Sequence, residues 1–176
     1  MSLYIGTKYR ATATIILAVV FISLRSFSQP VFFETWFGGS GADFARSVRE
    51  MPNGDIYVFG YSDSAAWGGQ DFALWKLNRY GNVQWVKYYG DSLDNSGLYM
   101  NTTSDGNFIV TGQTMSATSD VDGLVCKIDT AGNVLWTYRT NSPINESFKF
   151  ALQVSDGDMP LWVSREMSGH PTMFTS

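Results

Sequence analysis

Asp71–Tyr89, DFALWKLNRYGNVQWVKYY, returns 51 residues later as Asp122–Thr140, DGLVCKIDTAGNVLWTYRT. Asp71 falls on Asp122, Lys76 on Lys127, Gly81-Asn82-Val83 on Gly132-Asn133-Val134, and Trp85 on Trp136. A second matched pair lies upstream of each copy. Asn53-Gly54-Asp55 leads into IYVFG ending at Gly60, and Asp105-Gly106-Asn107 leads into FIVTG ending at Gly112. A third such turn begins at Asp156-Gly157-Asp158. Self-similarity at a period of about 50 residues means one supersecondary unit used repeatedly.

Each unit reads as four strands parted by turn residues. In the first copy they are expected near Ala45–Met51, Asp55–Ser62, Asp71–Asn78 and Val83–Tyr89, with a loop over Ser64–Gln70. In the second they fall near Gly97–Ser104, Asn107–Thr114, Asp122–Asp129 and Val134–Thr140. Asn-Gly and Asp-Gly supply the positive φ that tight hairpins need, so neighbouring strands are expected to pair antiparallel. The second strand of each copy (IYVF, FIV) is apolar on both faces instead of alternating. That pattern belongs to a sheet covered on both sides, the setting that radially stacked propeller blades provide. Trp85 and Trp136 are expected to pack between neighbouring blades.

The copies are out of phase with the chain ends. Val31–Phe37 (VFFETWF) reads as a fourth strand on its own, with Trp36 placed 49 residues before Trp85. Beyond Trp136 only a first strand, Ser147–Val154, and a second, Asp158–Glu166, are expected. The expectation for residues 29–176 is all-β: an incomplete propeller of about 2.5 to 3 four-stranded antiparallel blades, with repeats near 38–89, 90–140 and 141–176. Pro160 lies in the final strand, where it cannot donate a ladder bond. Open blade edges carrying Phe32, Trp36, Phe148, Phe150, Leu161 and Trp162 would favour self-association.

These residues resemble the secreted propeller repeats of bacterial cell-surface proteins, many of which end in a sorting domain for the type IX secretion system. That repeat runs from a Gly-Gly turn after a Trp strand to a DG turn, an I-V-x-G strand, a D-x-x-x-x-K-x-D segment and G-N-x-x-W. Trp36-Phe37-Gly38-Gly39, the two DG/NG strands, Lys76 and Lys127, and Trp85 and Trp136 match it over roughly Val31 to Glu166. The resemblance implies a fold and an address more than an activity. The segments from Asn78 to Trp85 and from Asp129 to Trp136 are also similar to the Trp-docking motif of pyrroloquinoline quinone dehydrogenases. There the motif locks blades together, and the quinone site needs further blades and a vicinal Cys pair that this chain, with one Cys, does not carry.

Residues 1–28 have the form of a signal peptide with its helical apolar core. Lys8 and Arg10 precede an uninterrupted run of small and apolar residues, Ala11–Leu24, and Ser26 and Ser28 are the small residues expected before cleavage at Gln29. An uncleaved anchor and a buried core helix are the competing readings. The run is 14 residues long, whereas a span needs about 20. The expected location is the cell surface or the periplasm and outer surface of a Gram-negative-type bacterium, with no membrane contact after cleavage.

The chain has 6 Trp, 9 Tyr and 12 Phe among 176 residues, with 17 Gly and only 16% charged residues, a composition suited to short strands and tight turns. Three of its 12 basic residues, Lys8, Arg10 and Arg25, precede Gln29, which leaves nine against 16 acidic ones. Nucleic acid and anionic membranes need a basic patch, so neither is an expected partner. The one cysteine, Cys126, gives no disulfide framework and reads as a small hydrophobe in a strand. The one histidine, His170, sits in a Gly-His-Pro turn, which leaves neither a Cys/His pair nor a Ser/His/Asp set.

Asp120-Val121-Asp122-Gly123 is the most metal-like cluster, with Asp120 and Asp122 as calcium candidates. The competing role for Asp122, whose repeat mate is Asp71, is turn capping. Asp91, Asp94 and Asn95 form a similar polar loop. Trp67 or Trp162 could stack on sugars or peptides, against the alternative of packing between blades. No cofactor is expected, and no catalytic residue is assigned. The leading expectation is a non-enzymatic surface binding or scaffold module with a protein or glycan ligand. The alternatives are a fragment of a longer propeller, or part of a propeller enzyme (glycosidase, lyase or quinoprotein) whose active site lies elsewhere.

Overall fold

The computed structural model describes residues 34–64, 69–117, 120–153, 161–167 and 173–175, the last two stretches in backbone alone. The described residues belong to one compact unit, Phe33–Ser176. The signal segment 1–28, Trp67, Pro160, His170 and the side chain of Trp162 lie outside what is described.

Four strands, β1 (Asp43–Glu50), β2 (Ile56–Ser62), β3 (Asp71–Leu77) and β4 (Val83–Tyr89), form an antiparallel sheet in chain order. A second sheet of the same kind follows, with β5 (Asn95–Thr102), β6 (Phe108–Met115), β7 (Val121–Ile128) and β8 (Val134–Arg139). The third has β9 (Glu146–Gln153), β10 (Leu161–Met167) and β11 (Met173–Thr175) in the order β11-β10-β9. The described residues are therefore all-β, in agreement with the expected class. β11 is a strand that the sequence did not announce, because three residues are too few to show a period.

The hairpins close by one recurring device. In each of four turns the first residue both donates to the carbonyl four places on and accepts from the glycine amide three places on. The turns begin at Met51, Asn78, Thr103 and Asp129. The glycines, Gly54, Gly81, Gly106 and Gly132, all have φ between 78° and 84°. This is a three-residue hairpin loop whose last position must be left-handed, a conformation that costs a residue with a Cβ about 1–2 kcal/mol. It also explains why β2 begins at Ile56 rather than Asp55, which serves the turn.

Alternation across the strands then sorts the core. Tyr57, Phe59, Phe72 and Leu74 share the face of the first sheet turned to the second. They meet Met100, Phe108, Val110, Cys126 and Ile128 there. Val58, Ala73, Trp75 and Leu77 are buried on the opposite face, with Phe37 against Trp75 at a ring separation of 5.6 Å. The second sheet is covered twice as well, since Ile109 and Val125 pack with Phe148 and Ala151 of the third. Burying an aromatic such as Phe59 stabilises the fold by roughly 1.5–3 kcal/mol, so these two interfaces dominate its energetics. One relation recurs: β5 packs across β1, β2 and β3, and β9 packs across β5, β6 and β7.

The expectation of a fourth-type strand over Val31–Phe37 needs correction at Glu34–Phe37, its first three residues lying outside those described. Glu34–Phe37 form no strand, and Trp36 is 90% exposed. A strand persists only through a ladder partner, and none of the described strands pairs with these residues.

Candidate functional site

The repeat positions meet at the seam between the first two sheets. Lys76 pairs with Trp85 in the ladder, which turns the indole toward the second sheet. There it packs on the turn at Gly132. A Cβ built at Gly132 would lie 3.1 Å from the Trp85 ring, 2.7 Å from Lys87 Cδ and 3.0 Å from the Tyr89 hydroxyl oxygen. Tyr89 donates its hydroxyl proton to the Gly132 carbonyl at 2.9 Å, and Lys87 Nζ donates to the same oxygen at 3.2 Å. Tyr57 reaches the adjacent Thr130 carbonyl at 2.8 Å. Gly132 thus has two reasons to be glycine, a left-handed φ and a neighbour where its side chain would be. Trp136, the mate of Trp85, packs in the seam between the second and third sheets.

The repeated lysines hold turns. Lys76 Nζ lies 2.8 Å from Asp55 and Lys127 Nζ 2.6 Å from Asp105. Lys76, with Asn53, holds the Asp55 carboxyl below the usual carboxylate range, against a smaller effect of burial. Lys127 and the Thr103 hydroxyl hold Asp105 lower still. Asp129 is also held low, chiefly by the backbone amide of Asn133.

The repeated aspartates part company. Asp122 is buried and takes Arg139 Nε at 2.9 Å and Nη2 at 2.8 Å. Asp71 is fully buried at the matching place, with Tyr88 in its sheet where Arg139 stands in the other. Its Oδ1 receives Asn95 Nδ2 at a long 3.4 Å, and its Oδ2 has no hydrogen-bond partner. Burial pushes the Asp71 carboxyl up, the Asn95 hydrogen bond opposes it, and the charges of Asp91 and Asp94 add to the rise. The other calcium candidate, Asp120, accepts a hydrogen bond from the Ser116 hydroxyl. Among the described residues, no group of three or more His, Cys, Asp or Glu side chains is placed to hold a metal ion.

A crevice of about 280 Å³ runs along the seam. Phe72, Tyr89, Leu124 and Cys126 give it an apolar floor, and Asp91, Asn95 and Arg139 give it a polar rim. Cys126 is buried, and burial pushes its thiol up, which suits a packed side chain and not a nucleophile.

Sequence reading found the repeat positions and the polar loop of Asp91, Asp94 and Asn95 but missed Arg139 and Tyr88. The signal for both was present: the offset that carries Asp71 onto Asp122 places Arg139 on Tyr88, a basic residue for a neutral one. No family model matches this chain, and no curated protein matches it.

Proposed function

We propose that the chain is a non-enzymatic extracellular or cell-surface binding or scaffold module, whose sheets are blades of a propeller. The observation that carries this reading is the dock of Trp85 on Gly132 of the next sheet, with Trp136 in the equivalent seam. A tryptophan that recurs in each seam between sheets is what a radial array of blades needs. The ionisable groups of the repeat serve architecture: Lys76 and Lys127 tie turns, and Arg139 neutralises a buried carboxylate. The inter-sheet crevice, with its apolar floor and polar rim, is a surface shaped for a ligand among the described residues. Export through a cleaved signal segment would bring it to the cell exterior, where a protein or glycan is the expected ligand.

Two measurements test this reading. Ester, peptide and glycoside panels are expected to show no turnover; a turnover lost on Asp122→Asn would replace the binding module with an enzyme. Expression in a host with an intact export pathway is expected to release a chain beginning at Gln29. A membrane-bound product retaining residues 1–28 would overturn the secreted location.

A further inference from the structure

Resting on the binding-module reading, we propose that the corner of the first sheet formed by Phe44, Arg46, Arg49 and Tyr61 takes an acidic glycan, with sugar carboxylates on the two guanidiniums and a sugar ring against Phe44. The repeat does not require this corner. Both sheets break register once between their first two strands, at Arg46 in the first and at Leu98 in the second. A Cβ at Gly60 would meet the Phe44 carbonyl oxygen at 1.8 Å, and one at Gly112 would meet the Ser96 carbonyl oxygen at 2.2 Å. The two corners therefore correspond residue for residue: Phe44 to Ser96, Arg46 to Leu98, Arg49 to Asn101 and Tyr61 to Gln113. The second sheet forms the same four-stranded ladder with neither a ring nor a cation at these places. Two cations and two rings gathered there in the first sheet answer to something other than the ladder.

The corner is pre-arranged by its own rings. Phe44, 42% exposed, stacks on Tyr61 at a ring separation of 4.7 Å. Arg46 is exposed; its guanidinium lies 5.3 Å from the Tyr61 ring centre, and Nη2 donates to the Tyr61 hydroxyl at 3.0 Å. Arg49, half-buried, lies over Tyr99 of β5 at 5.2 Å. It donates through Nη2 to the Tyr99 hydroxyl at 2.9 Å and through Nη1 to the Val48 carbonyl at 2.7 Å. Tyrosine, not an acid, fixes each guanidinium. Among the described residues the ion pairs belong to Lys76, Lys127 and Arg139, and neither Arg46 nor Arg49 has one. Nε and Nη1 of Arg46 make no hydrogen bond among the described residues, so donors remain for a carboxylate. In a chain with 16 acidic residues against 12 basic ones, two neighbouring arginines without an anion are set to take one from a ligand. They are too few for nucleic acid, whose sites neutralise roughly 6–10 phosphates. A sugar acid fits both halves of the corner, its carboxylate on the guanidinium and the apolar face of its ring on Phe44.

The test is titration calorimetry of the purified chain with polygalacturonate, poly-glutamate and neutral dextran. Polygalacturonate should bind, more weakly as salt rises, and neutral dextran should not. Arg46→Leu with Arg49→Asn, which installs the second sheet's residues in the first, should fold and lose about tenfold or more in affinity for polygalacturonate. Phe44→Ser should weaken it as well, whereas Arg79→Gln, at an exposed cation elsewhere on the sheet, should leave it unchanged. If the double variant fails to fold, Arg46→Leu alone, at an exposed position, decides. Unchanged affinity in the corner variants, an equal loss on Arg79→Gln, or no binding of polygalacturonate by the parent would each overturn the site and leave the binding module standing. Poly-glutamate bound as tightly would make the partner an acidic protein segment and overturn the glycan. Shortening of the polymer would overturn the module and the site together.

Discussion

Lys127 Nζ stands 2.6 Å from Asp105 Oδ2, so a cation on the third strand of a sheet pins the turn between its first two. Lys76 does the same through Asp55, yet the two carboxylates occupy different places in their turns. In Asn53-Gly54-Asp55 the acid comes last, and in Asp105-Gly106-Asn107 it comes first. The lysine is fixed by the strand, and the turn is short enough for either end to meet it.

These pairs set a pH dependence with a definite sign. Asp55, Asp105 and Asp129 are held below the usual carboxylate range in the folded chain. A depressed folded pKa gives stability that is present above about pH 4 and is lost as pH falls through the folded values. Urea midpoints should therefore drop between about pH 5 and pH 3. The double change Asp55→Asn and Asp105→Asn should flatten that drop, at a cost near neutrality of ~0.2–1 kcal/mol per pair. An unchanged slope in the double variant would contradict the assignment.

Gly106 and Gly132 form a natural control for the dock. Their φ values are 78° and 79°, but a Cβ at Gly106 meets nothing within 4 Å, whereas at Gly132 it meets Lys87, Tyr89 and Trp85. Gly106→Ala should cost about 1 kcal/mol, the backbone penalty alone. Gly132→Ala should cost at least ~1 kcal/mol more through displacement of the dock. Equal losses in chemical denaturation would show that the seam yields freely.

Trp85→Ala should cost more than ~1 kcal/mol but less than the about 3–5 kcal/mol of a fully buried Trp, since its half-buried indole packs on the Gly132 turn. Trp36→Ala should cost under ~0.5 kcal/mol, because Trp36 is solvated in this chain. Thermal melts of the pair would reveal whether Trp36 finds a partner in solution: a loss comparable to that of Trp85 would place it in an interface.

Arg139→Met leaves Asp122, 2% exposed, without its cation. A loss of roughly 3–5 kcal/mol is expected, and adding Asp122→Asn should recover much of it, because the penalty is an unpaired buried charge. A double variant no better than the single one would mean that Arg139 acts through packing.

What could be read in the sequence was what repeats. The Gly81 and Gly132 turns, the two-sided burial of IYVF and FIV, and the inward Trp85 and Trp136 follow from matched residues and short-range rules. Tyr89 on Gly132 and Tyr57 on Thr130 join residues 43 and 73 positions apart and have no copy among the described residues of the other seam. No local rule announces them. The strand expected through Glu34–Phe37 is absent for the complementary reason: these residues suit a strand, but pairing is a property of neighbours. The unequal aspartates fell between these cases, since Asp71 and Asp122 are visible as a pair and only the fold shows that one lacks a cation.

The exchanged acid in the two turns bears on anyone who would idealise this repeat. A consensus taken position by position from Asn53-Gly54-Asp55 and Asp105-Gly106-Asn107 can return Asn-Gly-Asn, which leaves every lysine of an engineered array without its anion. It can equally return Asp-Gly-Asp, which sets two acids against one base. Copies of this unit must be recombined as whole turn-and-strand sets, with Lys76 travelling beside Asp55 and Lys127 beside Asp105.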